Sequence, residues 1–282
     1  MTGVQTCALP ISVAVAFVGR TAVRAVLAAE GLRMRMVAAE RNDPARQRLG
    51  PPWDLLRRLT YRRADLVLAN SRAGVAALAR FVPAERLVFA PNPLLPPPPG
   101  PPAAKRGPCF LAVGRLHPQK AYDVLLDAFA ILAPQFPDWR LVALGDGELR
   151  SGLAARTQAL GLAERVDWLG QQADPWPWLR AADAFVLPSR FEGTPNALLE
   201  AMSCGVPPIV SDATAGALEY VAEGETGLIV PVNDAGALAA AMARLAGDAA
   251  LRARLGEAAR RRVAALSFAE AVAAWERLLG LA

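Results

Sequence analysis

Residues 184–211 read AFVLPSRFEGTPNALLEAMSCGVPPIVS, and the order of residue types in this stretch decides the architecture. Residues 184–188 are a short, continuous apolar run, which reads as a strand buried on both faces. Thr194 suits a helix N-cap and Pro195 the first helical position, so residues 195–204 read as a helix. Residues 207–211 are a second apolar run. A strand, a helix and a strand in this order form the repeating unit of a parallel sheet.

Working outward, the same alternation continues. Strands are expected at 109–114, 139–145, 165–169 and 227–230. Helices are expected at 120–133, 147–160, 175–182, near 216–222, and at 234–247, 249–265 and 268–280. This predicts an α/β, doubly wound parallel sheet, in which ligands bind beyond the carboxyl ends of the strands. Upstream, strands are expected at 13–18, 33–38, 65–70 and 86–90. Helices are expected at 20–30, at 53–64 and after a capping Ser71. Glu40, Arg41, Asn42, Asp43 and Pro44 read as a polar turn. Between the two halves, residues 91–102 contain eight prolines, which exclude a helix or a central strand. They read as a semi-rigid linker at most about 35 Å long at about 3.1 Å per residue. Residues 1–11, MTGVQTCALPI, resemble the translation of a common sequencing-library adapter and are set aside as a scar. The expected organisation is a scar at 1–12, a partial N-terminal Rossmann-like domain at 13–90, a linker at 91–104 and a ligand-binding domain at 105–266. A C-terminal helix at 267–282 is expected to return to the N-terminal domain.

Composition narrows the functional classes. The 282 residues are enough for two domains. Hydrophobic residues make up 54% and charged residues 20%, which excludes a disordered chain. The net charge of +5 suits an anionic ligand or a membrane surface. No basic block with interleaved aromatics points to nucleic acid. Cys7, Cys109 and Cys204 form no CxxC pair, which argues against a structural zinc site or a disulfide framework and fits a reducing cytoplasm. His117 is the single histidine, so a His-rich metal site or His-based triad is nearly excluded. No apolar run approaches the roughly 20 residues of a membrane-spanning helix.

Three loops that follow strands could carry chemistry. Gly114 lets a ligand approach the backbone, Arg115 can grip phosphate oxygens with two parallel donors, and Lys120 adds a point charge. An exposed basic turn before a helix is the other reading of these residues. Gly145, Asp146, Gly147 and Glu148 lack the full GxGxxG spacing and read as a tight turn with acids at a helix start. In the third loop, the amides after Pro195 would offer free N–H groups to an anion. Glu192 ahead of that helix and Glu200 on its flank suit a polyhydroxylated ligand, since carboxylates accept hydroxyl hydrogen bonds. A capped helix with solvated acids is the alternative. Trp176 and Trp178 read as packing residues.

In this order the loops resemble the family 4 glycosyltransferases, which are retaining enzymes of the GT-B fold. The resemblance runs through GRLHPQKAYDVLLDAFAIL, LVALGDGELR, RVDWLG, ADAFVLPSRFEGTPNALLEAMSCGVPPIVSD and GLIVPVND, covering residues 109–266. AAERNDP, YRRADLVLANS and APNPL resemble the end of the family's N-terminal domain, and ERNDP is most like members that use UDP-N-acetylhexosamines. The resemblance implies two Rossmann-like doubly wound domains, the N-terminal one incomplete. It implies transfer of a sugar from a UDP-sugar to a glycan or lipid-linked acceptor in bacterial cell-surface polysaccharide or lipopolysaccharide synthesis, with no metal and no cofactor. By the same resemblance, Arg115 and Lys120 beside Gly114 would hold the donor diphosphate. Glu192 would face the donor sugar and Glu200 the ribose hydroxyls. Backbone around Gly193, Thr194, Asn196, Ala197 and Leu198 would contact sugar and phosphate, and Gln171 and Gln172 would line the base. Glu192, Arg115 and Lys120 are the expected catalytic set.

Ala121 departs from the Lys-Gly usual in the family, and residues 216–219 lack a proline common in the closest-looking members. The family's early Gly-rich loop and N-terminal histidine find no match, so the chain is expected to have little or no transferase activity of its own. Its expected location is the cytoplasm; Arg57, Arg58, Arg62 and Arg63 on one basic helix suit anionic lipid at the inner face of the membrane, and a solvated face is the other reading of them. Rival readings are a nucleotide-sugar epimerase, which would release UDP or an epimer without an acceptor, and a non-catalytic nucleotide-sugar-binding module, which would tolerate Glu192→Gln. A sugar phosphorylase would need a pyridoxal-binding lysine loop, which is not found.

Overall fold

Short runs of Val, Leu, Ala and Phe form the strands, because such side chains pack on a pleated surface covered from both sides. The computed structural model describes residues 11–281. Residues 1–10 of the adapter-like stretch, with Cys7, lie outside the described residues. The chain forms two compact units, Met1–Pro91 with Ala273–Ala282, and Asn92–Val272.

The first unit contains β1 (Val13–Phe17), α1 (Gly19–Ala28), β2 (Arg35–Glu40), α2 (Pro51–Tyr61), β3 (Leu66–Ala69), α3 (Arg72–Leu78) and β4 (Leu87–Phe89). Its four strands pair in the order β1-β2-β3-β4, all parallel. Ser71 caps α3, its Oγ accepting from Gly74 N at 3.0 Å. Glu40 ends β2 buried, and accepts from Tyr61 Oη at 3.1 Å and from the Arg41 amide at 3.0 Å. Burial raises its carboxyl above the ordinary value, against the pull of these donors.

The second unit contains β5 (Cys109–Val113), α4 (Tyr122–Leu132), β6 (Arg140–Leu144), α5 (Arg150–Ala159), β7 (Val166–Gly170), α6 (Trp176–Ala181) and β8 (Ala184–Leu187). It continues with α7 (Asn196–Ser203), β9 (Pro208–Ser211), β10 (Leu228–Val230), α8 (Ala235–Gly247) and α9 (Ala249–Val263). Finally α10 (Phe268–Leu279) starts in this unit and ends in the first, where Trp275 and Leu278 pack on Val37, Leu66 and Leu68. The six strands run β10-β9-β8-β5-β6-β7, every pair parallel. Successive residues of β5 enter opposite cores, Phe110 and Ala112 on one face, Cys109 and Leu111 on the other. That is why these strands read as unbroken apolar runs.

The chain winds outward from β5 to β7, then returns to place β8 on the other side of β5. The carboxyl ends of β5 and β8 therefore form the topological switch point of this sheet.

Three expectations change. The proline tract does not stand free. Arg180 on α6 donates to the carbonyls of Pro98 (2.9 Å) and Pro101 (3.2 and 3.3 Å), and Ala103 N donates to Pro177 O at 2.8 Å. Residues 216–222 form turns instead of a helix. A Cβ on Gly216 would lie 2.1 Å from the Gly193 carbonyl, so tertiary contact fixes this backbone against a neighbouring loop. Arg57 is buried, donating to Pro44 O at 3.2 Å and to Asp54 at 3.3 Å, and so cannot rest on lipid. Arg58, Arg62 and Arg63 stay exposed.

Candidate functional site

The loop leaving β5 makes one 3-10 turn, Pro118–Lys120, before α4. His117 caps it, its Nδ1 accepting from Gln119 N at 3.1 Å. With Nδ1 an acceptor, the ring carries its proton on Nε2 when neutral, which faces Glu148 at 3.8 Å. His117 thus has a structural role in the loop. Ala121 follows in the left-handed conformation at φ 53° and is fully buried. An alanine here holds the shape a glycine adopts freely, at a cost of about 1 kcal/mol.

This loop is joined to the one leaving β8. Arg190 N donates to Gln119 O at 2.8 Å, and Gln119 Nε2 donates to Phe191 O at 2.9 Å. The Arg190 guanidinium reaches Asp123 at 2.6 Å and Asn233 at 2.8 Å. Burial raises the Asp123 carboxyl, but Arg190 outweighs it and holds the group below its ordinary value.

Within the joined loops, Lys120 Nζ lies 2.6 Å from Glu192 Oε1. Glu192 is only 7% exposed, so its side of this ion pair is withdrawn from water. The Lys120 stem lies against Gly114, where a Cβ would meet its Cε at 2.9 Å. Tyr122 Oη donates to the Gly114 carbonyl at 3.0 Å. Burial first, then the Glu192 charge, push its phenol well up. Arg115 is exposed and makes no hydrogen bond or ion pair with the described residues, so it is available to an incoming anion.

The next strand exits meet the same edge. Gly145 N donates to Gly170 O at 2.8 Å, linking the ends of β6 and β7. A Cβ at Gly145 would sit 2.0 Å from the Gly114 carbonyl, so glycine alone permits this approach. Gln171 and Gln172 are exposed just past β7, with Gln172 Nε2 donating to Leu169 O at 2.8 Å.

At α7 the N-cap position belongs to Pro195 (φ −79°, ψ 119°), not Thr194, and among the described residues no side chain caps the helix. Thr194 is instead held by its carbonyl, which accepts from Asn92 Nδ2 at 2.9 Å. Asn196 is exposed at the helix start with Ala197 beside it. Glu200, four residues on, shares the face of Asn196. It is half-buried, which raises its carboxyl above the ordinary value, and it makes no hydrogen bond or ion pair with Lys120 or Glu192. Leu198 does not serve as expected: its side chain is fully buried in the core and its N–H donates to Pro195 O at 3.2 Å. Gly193 is buried, its carbonyl against Gly216.

The structure therefore brings Gly114, Lys120, Glu192 and Gly193 together on the loops that leave β5 and β8, with Arg115 on the first of them. Asn196 and Glu200 lie along α7, and Gln171 and Gln172 at the far strand exit. Sequence reasoning gave no role to Asn92, Gln119 and Arg190, whose partners are remote in sequence, or to Tyr122, whose partner Gly114 is eight residues away. All four lie in phrases that carry the resemblance, Asn92 in APNPL, Gln119 and Tyr122 in GRLHPQKAYDVLLDAFAIL and Arg190 in the stretch from residue 182 to residue 212. Among the described residues, no group of three or more His, Cys, Asp or Glu side chains is placed to hold a metal ion.

Residues 99–262 match the family model described as Glycosyl transferases group 1. The chain is similar to an exopolysaccharide phosphotransferase of Streptomyces coelicolor, 41% identical over 166 residues, 58% of this chain and 18% of that protein. It is also similar to the lipopolysaccharide core biosynthesis glycosyltransferase LpsE of Rhizobium meliloti, 37% identical over 150 residues, 53% of this chain and 43% of that protein. The chain thus spans less than half the length of these curated relatives. Among solved structures, Anabaena HepE in complex with UDP-glucose superposes with a TM-score of 0.83 at 21% identity, covering 95% of this chain and 79% of that one.

Proposed function

The chain belongs to the glycosyl transferases group 1 family and has the GT-B fold, and from that premise we propose that its parent protein is a retaining, family 4 type transferase. It moves a sugar from a UDP-sugar to a glycan or lipid-linked acceptor in cell-surface polysaccharide or lipopolysaccharide synthesis. The observation that carries this reading is the Lys120–Glu192 pair, 2.6 Å apart at the switch point of the second sheet. A cation and an acid held together under the start of α7 suit a ligand that is a diphosphate at one end and a sugar at the other.

In this proposal Asn92–Val272 is the donor-binding unit and Met1–Pro91 the acceptor side. Arg115 and the amides at the α7 start, around Gly193, Thr194, Asn196 and Ala197, receive the diphosphate. Lys120 exchanges part of its contact with Glu192 for a phosphate oxygen. Glu192, released from full pairing, accepts hydrogen bonds from the donor sugar, and Glu200 accepts from the ribose. Gln171 and Gln172 line the base. When the anomeric bond breaks, negative charge grows on the departing diphosphate, and Arg115, Lys120 and the helix end stabilise it from fixed positions. The acceptor hydroxyl attacks on the same face as the leaving group, giving retention, with no divalent metal. The donor is a UDP-hexose or, following the ERNDP phrase, a UDP-N-acetylhexosamine.

Peripheral contact with anionic lipid belongs to the same proposal. It rests on α2, where Leu55 and Leu59 are 59% and 48% exposed and Arg58 and Arg62 stand beside them. No helix among the described residues is long and apolar enough to cross a membrane.

Because the chain spans under half of its curated relatives, binding tests the site more directly than turnover. UDP at 100 times its Kd is expected to stabilise the protein by about 2.7 kcal/mol, with GDP and both families of sugar nucleotides as comparisons. Absence of any shift with every nucleoside diphosphate would refute the reading.

A further inference from the structure

We infer that Asn92 is a positioning residue for the phosphate-binding end of α7, acting through the side chain of Asn196. The inference rests on the donor-site reading above and adds a residue to it from outside the motif loops. Asn92 is the first residue of the second unit and is 7% exposed. Its Nδ2 donates twice, to Thr194 O at 2.9 Å and to Asn196 Oδ1 at 2.5 Å. Both acceptors flank Pro195, which has no N–H and offers no side-chain cap to α7. One buried amide, 102 and 104 residues away in sequence, therefore ties down the backbone before the helix and the first side chain in it.

The chemical consequence follows from amide geometry. An asparagine side chain presents oxygen on one side and NH₂ on the other. Asn92, as the donor, draws the oxygen of Asn196 toward itself. The NH₂ of Asn196 is then presented away from Asn92, at an exposed position beside the first-turn N–H groups of α7. Two donor sets point the same way, and an anion meets hydrogen in place of carbonyl oxygen. A carboxylate at position 92 would reverse this. It would accept from the Asn196 NH₂, turn its oxygen outward and oppose the Thr194 carbonyl.

Isothermal titration of the full chain with UDP and with uridine tests the idea. Asn92→Ala is expected to weaken UDP binding about tenfold, equivalent to about 1.4 kcal/mol, and Asn92→Asp to weaken it further. Uridine, lacking phosphates, should bind all three proteins equally. Asn92→Ala combined with Asn196→Ala should weaken UDP binding by less than the sum of the two single losses, since the two side chains share one contact. Equal losses for UDP and uridine, or additive losses in the double variant, would overturn the inference and leave Asn92 a structural residue. If the Asn92 variants do not fold, the side-chain NH₂ resonances of Asn196 in the unaltered protein decide it. They should shift on adding UDP and not on adding uridine; resonances unmoved by UDP would overturn it. Failure of the unaltered chain to bind UDP at all would instead overturn the donor-site reading, and this inference with it.

Discussion

Lys120→Ala would leave Glu192 buried without its partner. Removing one member of a buried pair costs several kcal/mol, and Lys120 is itself one-fifth exposed, so the expected loss is about 2–3 kcal/mol. Lys120→Ala with Glu192→Gln removes the stranded charge and should recover more than half of that loss, read by thermal or denaturant unfolding. Glu200 behaves oppositely. Burial raises its folded pKa above 4.5, so its ionised form costs stability at neutral pH, and that cost fades as pH falls through the folded pKa to the unfolded one. Glu200→Gln should therefore stabilise the unliganded protein at pH 7, should make no difference below about pH 4, and should weaken UDP binding at neutral pH. At this scale the resemblance made Lys120 and Glu192 expected ligands of one donor, and the structure brings the two side chains together. The sequence could not reveal that they pair with each other, nor that Asn92 reaches Asn196, because both contacts depend on tertiary closeness. Leu198 was misassigned for a related reason: a helix start exposes backbone on one side while its next apolar residue turns into the core.

The strands were legible as elements because burial on both faces leaves an uninterrupted apolar run, with glycine or a polar residue closing it. Element ends were less so. The expected cap at Thr194 shifted to Pro195, since the Thr194 carbonyl is engaged by a distant amide, and the turns at 216–222 follow from a glycine pressed on another loop. Two glycines test how far packing overrides propensity. Gly145→Ala would force a Cβ to 2.0 Å from the Gly114 carbonyl, at φ +132°. It should destabilise by more than about 2 kcal/mol and push apart the exits of β5 and β6, lowering affinity for UDP. Gly152 lies within α5 with nothing within 4 Å of its missing Cβ. Gly152→Ala should stabilise by about 0.5–1 kcal/mol, measured in the same unfolding experiment.

Charge is divided unevenly along the molecule. Residues 13–90 hold fourteen arginines and six acids, a net +8, which leaves −3 for the rest of a chain whose total is +5. The overall balance had hidden this polarity, because a single net charge averages the two units. Attraction of the first unit to an anionic surface should follow. The chain is expected to sediment with phosphatidylserine vesicles and not with phosphatidylcholine vesicles. Raised salt should release it, and so should the paired change Arg58→Ala with Arg62→Ala, while Leu55→Ser with Leu59→Ser should weaken binding even at low salt. Retention on neutral vesicles, or indifference to these changes, would remove the membrane part of the proposal. The proline-rich tract at 91–102 could be read from the sequence alone. The side to which the proline tract adheres could not, because Arg180 and the carbonyls it holds lie some eighty residues apart.

That attachment bears on how the molecule ages. Proteolytic enzymes need a stretch of backbone that can be drawn out and laid into their clefts, and they cut poorly at proline. Between Pro91 and Pro102 seven of the eleven peptide bonds are imide bonds, and two of the carbonyls are already engaged by one guanidinium. That tract is thereby a poorer target than an ordinary linker, and the amide bond between Leu94 and the exposed Leu95 is where a nicking enzyme should first enter it.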